Sequence, residues 1–442
     1  MNKYRDIVGR INYVLFLVAV ATLPFPQVCI RYALVVWLVS WVLELRWLQP
    51  LNIKHSTLNI KRILPFALFA LWYAWRGLSG LWSPDHRAWS FMMERYMTFA
   101  LILPVGIWGV NEHYNWRTVA KVLAISCAAS VVFYVIAMTV LYHSAETPNL
   151  PAWRTDYHNW LECFALNSSC LKHRLFWCTT QLLGVIAAFQ AWPAKDKSPR
   201  LCRSKEITDQ KSKISNLKSQ ILKWTIVVLS ICALPLSGSR QIVFSLAAVI
   251  IIALIYFIKS KIANRKSQIL VISITILTIL TIAAISFVNH PRMKAMLQGD
   301  ITMEQLTLKE PRVAIWQQVF SSPMDYFWTG LGGGQSVNYL ETKYNTHYME
   351  YYSYMHYHAH NQYLEELMEL GIFGLILFLA AWISIIVCAR GQGRRTAIYF
   401  VTICMLNMLT DCMWGKFDGI AIWAVAMIFI LMQSKSAKIE RK

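Results

Sequence analysis

Apolar runs of bilayer-crossing length recur from one end of this 442-residue chain to the other. Inside a bilayer the backbone must satisfy its own polar groups, so each run reads as a helix. Candidate spans are Ile11–Pro26, Val28–Leu45, Leu64–Trp82, Met97–Val110, Val119–Tyr142, Phe176–Trp192, Trp224–Pro235, Ile242–Ile258, Ile269–Val288, Leu367–Cys388, Ala397–Leu409 and Ile420–Met432. That predicts an all-α, polytopic membrane protein of about twelve helices, several of them shorter than the usual length of about 20 residues. The chain is 56% hydrophobic and only 15% charged, which excludes a string of soluble domains. No cleavage pattern follows the first apolar run, which leads straight into a second.

The net charge of +20 would suit a nucleic-acid binder, but its distribution says otherwise. With the N-terminus inside, 29 of the 43 Lys and Arg fall in cytoplasmic segments. That is the bias of a multi-pass protein of the bacterial inner membrane. The basic excess reports topology, and its partner is anionic membrane lipid rather than nucleic acid.

This topology leaves two long segments outside, 143–174 and 289–357. Cys163 and Cys170 lie in the first, where a six-residue gap can close a disulfide in an oxidising compartment. The expected organisation is a bundle of about nine helices over 1–288, a periplasmic loop region with short helices over 289–360, and closing helices over 361–442. The Lys/Ser-rich stretch 195–223 reads as low-complexity linker or a surface helix.

Acids within the expected spans are almost absent, and Arg76 is the main mid-span charge. The polar chemistry gathers at the outer rim. In "YHAHNQYLEELMELGIFG", Tyr357–Gly374, two imidazoles and an asparagine stand where a span begins. Read as one helix from His360, the spacing places His360, Leu364, Leu367, Gly371 and Gly374 on one face. Glycines there would admit a neighbouring helix and fix the imidazole. His358, two residues away, could share a metal with His360 only in an extended loop, and no Cys/His/Asp set of structural-zinc spacing completes a site.

Two arginines stand near expected helix starts. Arg240 follows Ser237 and Ser239, either of which can cap an inward-running helix. Arg312 follows Pro311, well placed as a first helical residue, and Pro323 stops that helix. A guanidinium beside exposed helix N–H groups suits a phosphate. Then come a glycine turn, Gly330–Gly334, and a run of tyrosines ending at Tyr357, whose rings could stack on a sugar.

At these residues the chain resembles the O-antigen ligase and O-antigen polymerase superfamily, membrane glycosyltransferases of the GT-C type. The ligase pattern of His, Asn, nine residues, Gly, two residues and Gly is met by His360-Asn361, Gly371 and Gly374. Ser239-Arg240 matches the superfamily's Ser-Arg pair, although the leucine four residues later is Phe244 here. Arg312, Trp316 and the turn at Gly330–Gly334 match its second arginine motif. The resemblance covers roughly Leu236–Leu375, and the first 200 residues match only in hydropathy. It implies transfer of a glycan from undecaprenyl pyrophosphate, at the periplasmic face, to lipid A–core or to a second lipid-linked glycan. It also implies a cofactor-free, metal-independent reaction with His360 as base. Arg240 and Arg312 would then hold the pyrophosphate, with His358, Tyr357 and Asn361 beside the substrates. A repeat-unit polymerase, a transporter and a non-catalytic scaffold are the alternatives.

Overall fold

The computed structural model describes residues 2–45, 60–143, 172–192, 206–237, 239, 241–261, 311–346 and 349–439. All regular structure among them is helical. In chain order the helices are α1 (Asn2–Thr22), α2 (Gln27–Leu43), α3 (Ile60–Leu78), α4 (His86–Leu101), α5 (Leu103–Trp108), α6 (Trp116–His143), α7 (Arg174–Ala191), α8 (Glu206–Leu236), α9 (Gln241–Lys261), α10 (Pro311–Ser321), α11 (Ser336–Thr346), α12 (Glu350–Tyr354), α13 (Gln362–Cys388), α14 (Gly391–Met408) and α15 (Phe417–Ile439).

Among the described residues, five segments are long and apolar enough to cross a membrane: Trp116–Val140, Asn216–Leu234, Gln241–Ile258, Gln362–Cys388 and Phe417–Lys435. Gln27–Leu43 is apolar but shorter. The expected span Met97–Val110 is two helices instead, because Pro104 enters the first turn of α5 and restarts the chain after Ile102. The span expected at Trp224–Pro235 belongs to the much longer α8. The span expected at Ile269–Val288 and the cysteines Cys163 and Cys170 lie outside the described residues.

α15 is apolar on every side and is buried on every side from Ile420 to Ile430, as such a helix must be. An aromatic seam ties it to α3, α4 and α13. Phe99 lies 4.4 Å from Trp423 and 4.5 Å from Trp414, and Trp72 lies 4.9 Å from Trp414, between ring centres. Tilted and edge-on contacts of this kind add to plain area burial.

The helix expected to run unbroken from His360 to Gly374 does not form. α13 begins at Gln362, and Gly371 interrupts it with φ 67° and ψ −171°. The carbonyls of Met368, Glu369 and Leu370, freed by the break, accept hydrogen bonds from Leu331 N–H at 2.8 Å, Gly332 N–H at 3.0 Å and Trp75 Nε1 at 3.1 Å. In return Ile372 N–H donates to Phe327 O at 2.7 Å. The glycine turn is therefore the partner of the break. A Cβ on Gly371 would lie 2.3 Å from Trp328 O, and one on Gly330 would lie 2.3 Å from Glu369 O. The glycines serve close backbone approach between the loop and α13, not a continuous packing face.

A second small core forms where the loop region rests on α13. Ile315, Val319, Tyr326, Leu340, Tyr344, Ala359 and Met368 are buried together. α10 begins at Pro311 and ends at Ser321, two residues before Pro323, where the proline spacing places it.

Candidate functional site

Asn361 caps α13. Its Oδ1 accepts from Tyr363 N–H at 2.9 Å and Leu364 N–H at 3.1 Å, two of the donors a helix start leaves unmet. Its Nδ2 donates to Leu409 O at 3.1 Å. The end of α14 and the start of α13 are thereby joined.

His360 stands just outside that cap, with φ 48°. Its backbone N–H donates to Nδ1 of His358 at 3.0 Å, so the His358 ring carries its proton on Nε2 when neutral. The two rings lie 4.1 Å apart. Between them, buried Ala359 is held from both sides. Its N–H reaches Glu365 Oε2 at 3.3 Å, and its carbonyl accepts from Trp316 Nε1 at 2.9 Å. Tyr357 places its ring 5.7 Å from that of His360, and its carbonyl accepts from Tyr344 OH at 3.2 Å.

Three elements distant in sequence meet these imidazoles. Asp411, just after α14, brings a carboxylate oxygen within 4.8 Å of ring nitrogens of His358 and His360. His173, before α7, has Nε2 3.8 Å from Asp411. Exposed Arg312, in the first turn of α10, bears with its positive charge on both His358 and His360. Arg240 lies outside the described residues. Its neighbour Gln241 donates to Leu406 O at 2.6 Å, one turn from the Leu409 carbonyl that holds Asn361. Gln241, at the start of α9, and Asn361 thus approach the same end of α14. Of the two serines offered as caps for α9, Ser237 turns its hydroxyl to Leu234 O and accepts from Ser239 N–H, so it closes the turn after α8.

Burial pushes the His360 imidazole down to about 3, helped by the neighbouring His358 and by Arg312, against the pull of Asp411. Burial lowers His358 as well, and takes His173 to about 4. At neutral pH all three rings are uncharged, the state in which an imidazole accepts a proton. His358, His360 and Asp411 are also residue types that can hold a divalent ion. The His358 tautomer opposes this, because Nδ1 is occupied by the His360 N–H and Nε2 carries the proton.

Directly beneath lies a buried polar cluster that the sequence reading missed. Arg76 is fully buried and meets Glu366 Oε2 at 2.9 Å and the carboxylate of Glu369. Its guanidinium lies over the rings of Trp72 and Tyr96 at 4.9 and 4.7 Å. Glu366 also accepts from Trp72 Nε1 at 2.9 Å and Gln362 Nε2 at 2.8 Å. The Ser336 hydroxyl touches Glu365 Oε1 and Glu369 Oε1. A hydroxyl has one proton, so one of the two carboxyls must donate in turn. Glu369 is paired with Arg76, which leaves Glu365 to carry the proton. Glu365 and Glu366 fall just ahead of the span expected from Leu367, whereas Glu369 lies inside it. The i, i+4 pair of Glu365 and Glu369 before an apolar run was the available signal.

Residues 225–379 match the family model of the O-antigen ligase. This stretch belongs to the O-antigen ligase superfamily. It contains Ser239-Arg240, Arg312, the glycine turn and the histidine stretch, whereas His173, Asp411 and Arg76 lie outside it. No curated protein sequence matches the chain. An O-antigen ligase-type stretch together with apolar, membrane-length helices supports a membrane enzyme of the ligase and polymerase class.

Proposed function

We propose that this protein is a lipid-linked glycan transferase of the ligase type. It moves a glycan from undecaprenyl pyrophosphate to lipid A–core at the periplasmic face of the inner membrane. The observation that supports it most is the position of His360 at the mouth of α13, its ring facing Asp411 and His358, inside the stretch that matches the family model. An unprotonated ring nitrogen of His360 takes the proton of the acceptor hydroxyl. The hydroxyl oxygen attacks the anomeric carbon. The bond from that carbon to the phosphate oxygen breaks, and the pyrophosphate keeps the electron pair. Arg312 and Arg240 carry the charge that develops there. Attack from the face opposite the leaving group inverts the anomeric centre.

The test is a reconstituted assay with a defined undecaprenyl-pyrophosphate oligosaccharide, offered lipid A–core and a second lipid-linked unit separately. Product on lipid A–core is expected. Product only on the second lipid would make the protein a polymerase. Loss of a general base costs about 10²–10⁴-fold in rate, so His360→Ala should lose that much at unchanged membrane abundance. His358→Ala should be milder, and a chelator should change nothing. Equal loss in both variants together with chelator sensitivity would replace the base with a metal held by His358, His360 and Asp411.

A further inference from the structure

A cavity of about 650 Å³ opens beside the histidines, between α2, α4, the start of α7 and the start of α15. None of the arginine or histidine motifs accounts for it. His173 lines it and reaches Asp411 at 3.8 Å, so it adjoins the site without being part of the His358–His360 loop.

Its lining is graded along α2 and α15. On α2 the order is Gln27 and Arg31, then Leu34 and Leu38; on α15 it is Asp418, then Ala424; on α4 Phe91 stands one turn before Glu94 and Arg95, and Met97, Thr98, Leu101 and Ile102 follow. Seven residues of helix span about 10 Å, so a charged mouth gives way to an apolar interior over that depth. Four cations line the cavity, Arg31, Arg95, Lys172 and Lys416, against two carboxylates, Glu94 and Asp418. Lys172 is buried and bound to Asp418 at 2.7 Å, and Arg95 donates to Gly415 O at 2.6 Å. Arg31 and Lys416 are exposed, Arg31 lying 5.5 Å over the ring of Phe417. Three helices, α2, α7 and α15, also start here, and their positive ends favour an anion.

We infer that this cavity binds the phosphate head of a membrane lipid, with the first part of its apolar chain against Leu34, Leu38, Leu101 and Ile102. Arginine, lysine and helix N-termini together recognise phosphate, and a graded wall suits an amphiphile rather than a soluble anion. That the lipid is a substrate rests on the transferase reading; the binding does not.

The experiment uses the full chain purified in an uncharged detergent, with labelled undecaprenyl phosphate as probe. Wild type should bind it, and unlabelled undecaprenol, the uncharged alcohol, should not compete. Arg31→Glu with Lys416→Glu should weaken binding by at least about tenfold, the size of one lost charge-assisted contact. Both side chains are exposed, and should the double variant fail to fold, Arg31→Gln with Lys416→Gln carries the same test. His360→Ala should bind as wild type does, even where transfer is lost, which separates failure of this site from failure of the proposed reaction. Competition by phosphatidic acid would assign the site to phospholipid heads at large. Competition by undecaprenyl phosphate alone would assign it to the isoprenoid carrier. Wild-type affinity in the charge-reversed variant, or equal competition by undecaprenol, overturns the inference.

Discussion

Two polar regions meet across the first turn of α13, one on each side of Asn361. Inward, Arg76 pairs with both Glu366 and Glu369, and all three are 0–1% exposed. Outward, His358, His360 and Arg312 hold few fixed partners and keep some contact with solvent. The inner region keeps its charges by matching them, as a low-dielectric site demands. The outer region keeps its histidines by leaving them uncharged. One region is committed to holding the fold, and the other has valences left for a substrate.

The sharpest way to break this contrast is Arg76→Ala. It strands two buried carboxylates, and removing one partner of a buried pair typically costs about 3–5 kcal/mol. Thermal unfolding in detergent should fall steeply, whereas His360→Ala should unfold like wild type. If Arg76→Ala melted normally, the inner cluster would not be structural.

Glu365 lies on the border and refines the comparison. Glu365→Ala removes the acceptor of Ala359 N–H and the partner of Ser336, a loss of about 1–3 kcal/mol. Glu365→Gln should be close to neutral in both stability and transfer, because an amide offers the same acceptor and donor as a protonated carboxyl. A large defect in Glu365→Gln would mean that the residue works as a charge.

How much of this was legible in the sequence follows from the range of the contacts. Local signals were readable: apolar runs, the helix start at Pro311, and the histidine stretch. The inner cluster was not, since Arg76 and Glu366 are 290 residues apart and neither carries a local mark of the other. The break at Gly371 was misread for a different reason. A period of 3.6 assumes an unbroken helix, and the partner that makes the break tolerable is backbone of the 327–332 turn, which has no side-chain signature. His173 and Asp411 come from loops whose approach depends on how α7 and α14 pack.

Smaller effects sharpen the outer region. Asn361→Ala removes a cap, worth about 1 kcal/mol, and frees the link to Leu409. A modest drop in melting temperature should therefore accompany a larger drop in transfer, as the His360 loop loosens. Equal, small changes in both would reduce Asn361 to a helix cap. The smallest expected change is with pH. With His360 near 3 in the free enzyme, kcat/KM should stay level from about pH 5 to 8 rather than fall near the ordinary value of 6.5. Stability carries the opposite signature. The unfolded chain takes up protons near 6.5 that folded His360 and His173 refuse until about 3 and 4. The histidine contribution is therefore complete above 6.5 and is lost as pH falls below it.

The interrupted α13 also bears on how the chain is made. Ribosomes emit residues in order, and every group that seals the break at Gly371 is synthesised before it: Trp75 early, then Phe327, Leu331 and Gly332 about forty residues upstream. Arg76, the cation that neutralises Glu366 and Glu369, follows Trp75 directly and so is also made early. When α13 leaves the insertion machinery its docking surface is already in place, so a helix with three acids and a gap in its ladder need never rest alone in lipid. Moving the 311–346 segment downstream of α13 by circular permutation would remove that advantage, and accumulation of the permuted chain in membranes would report it.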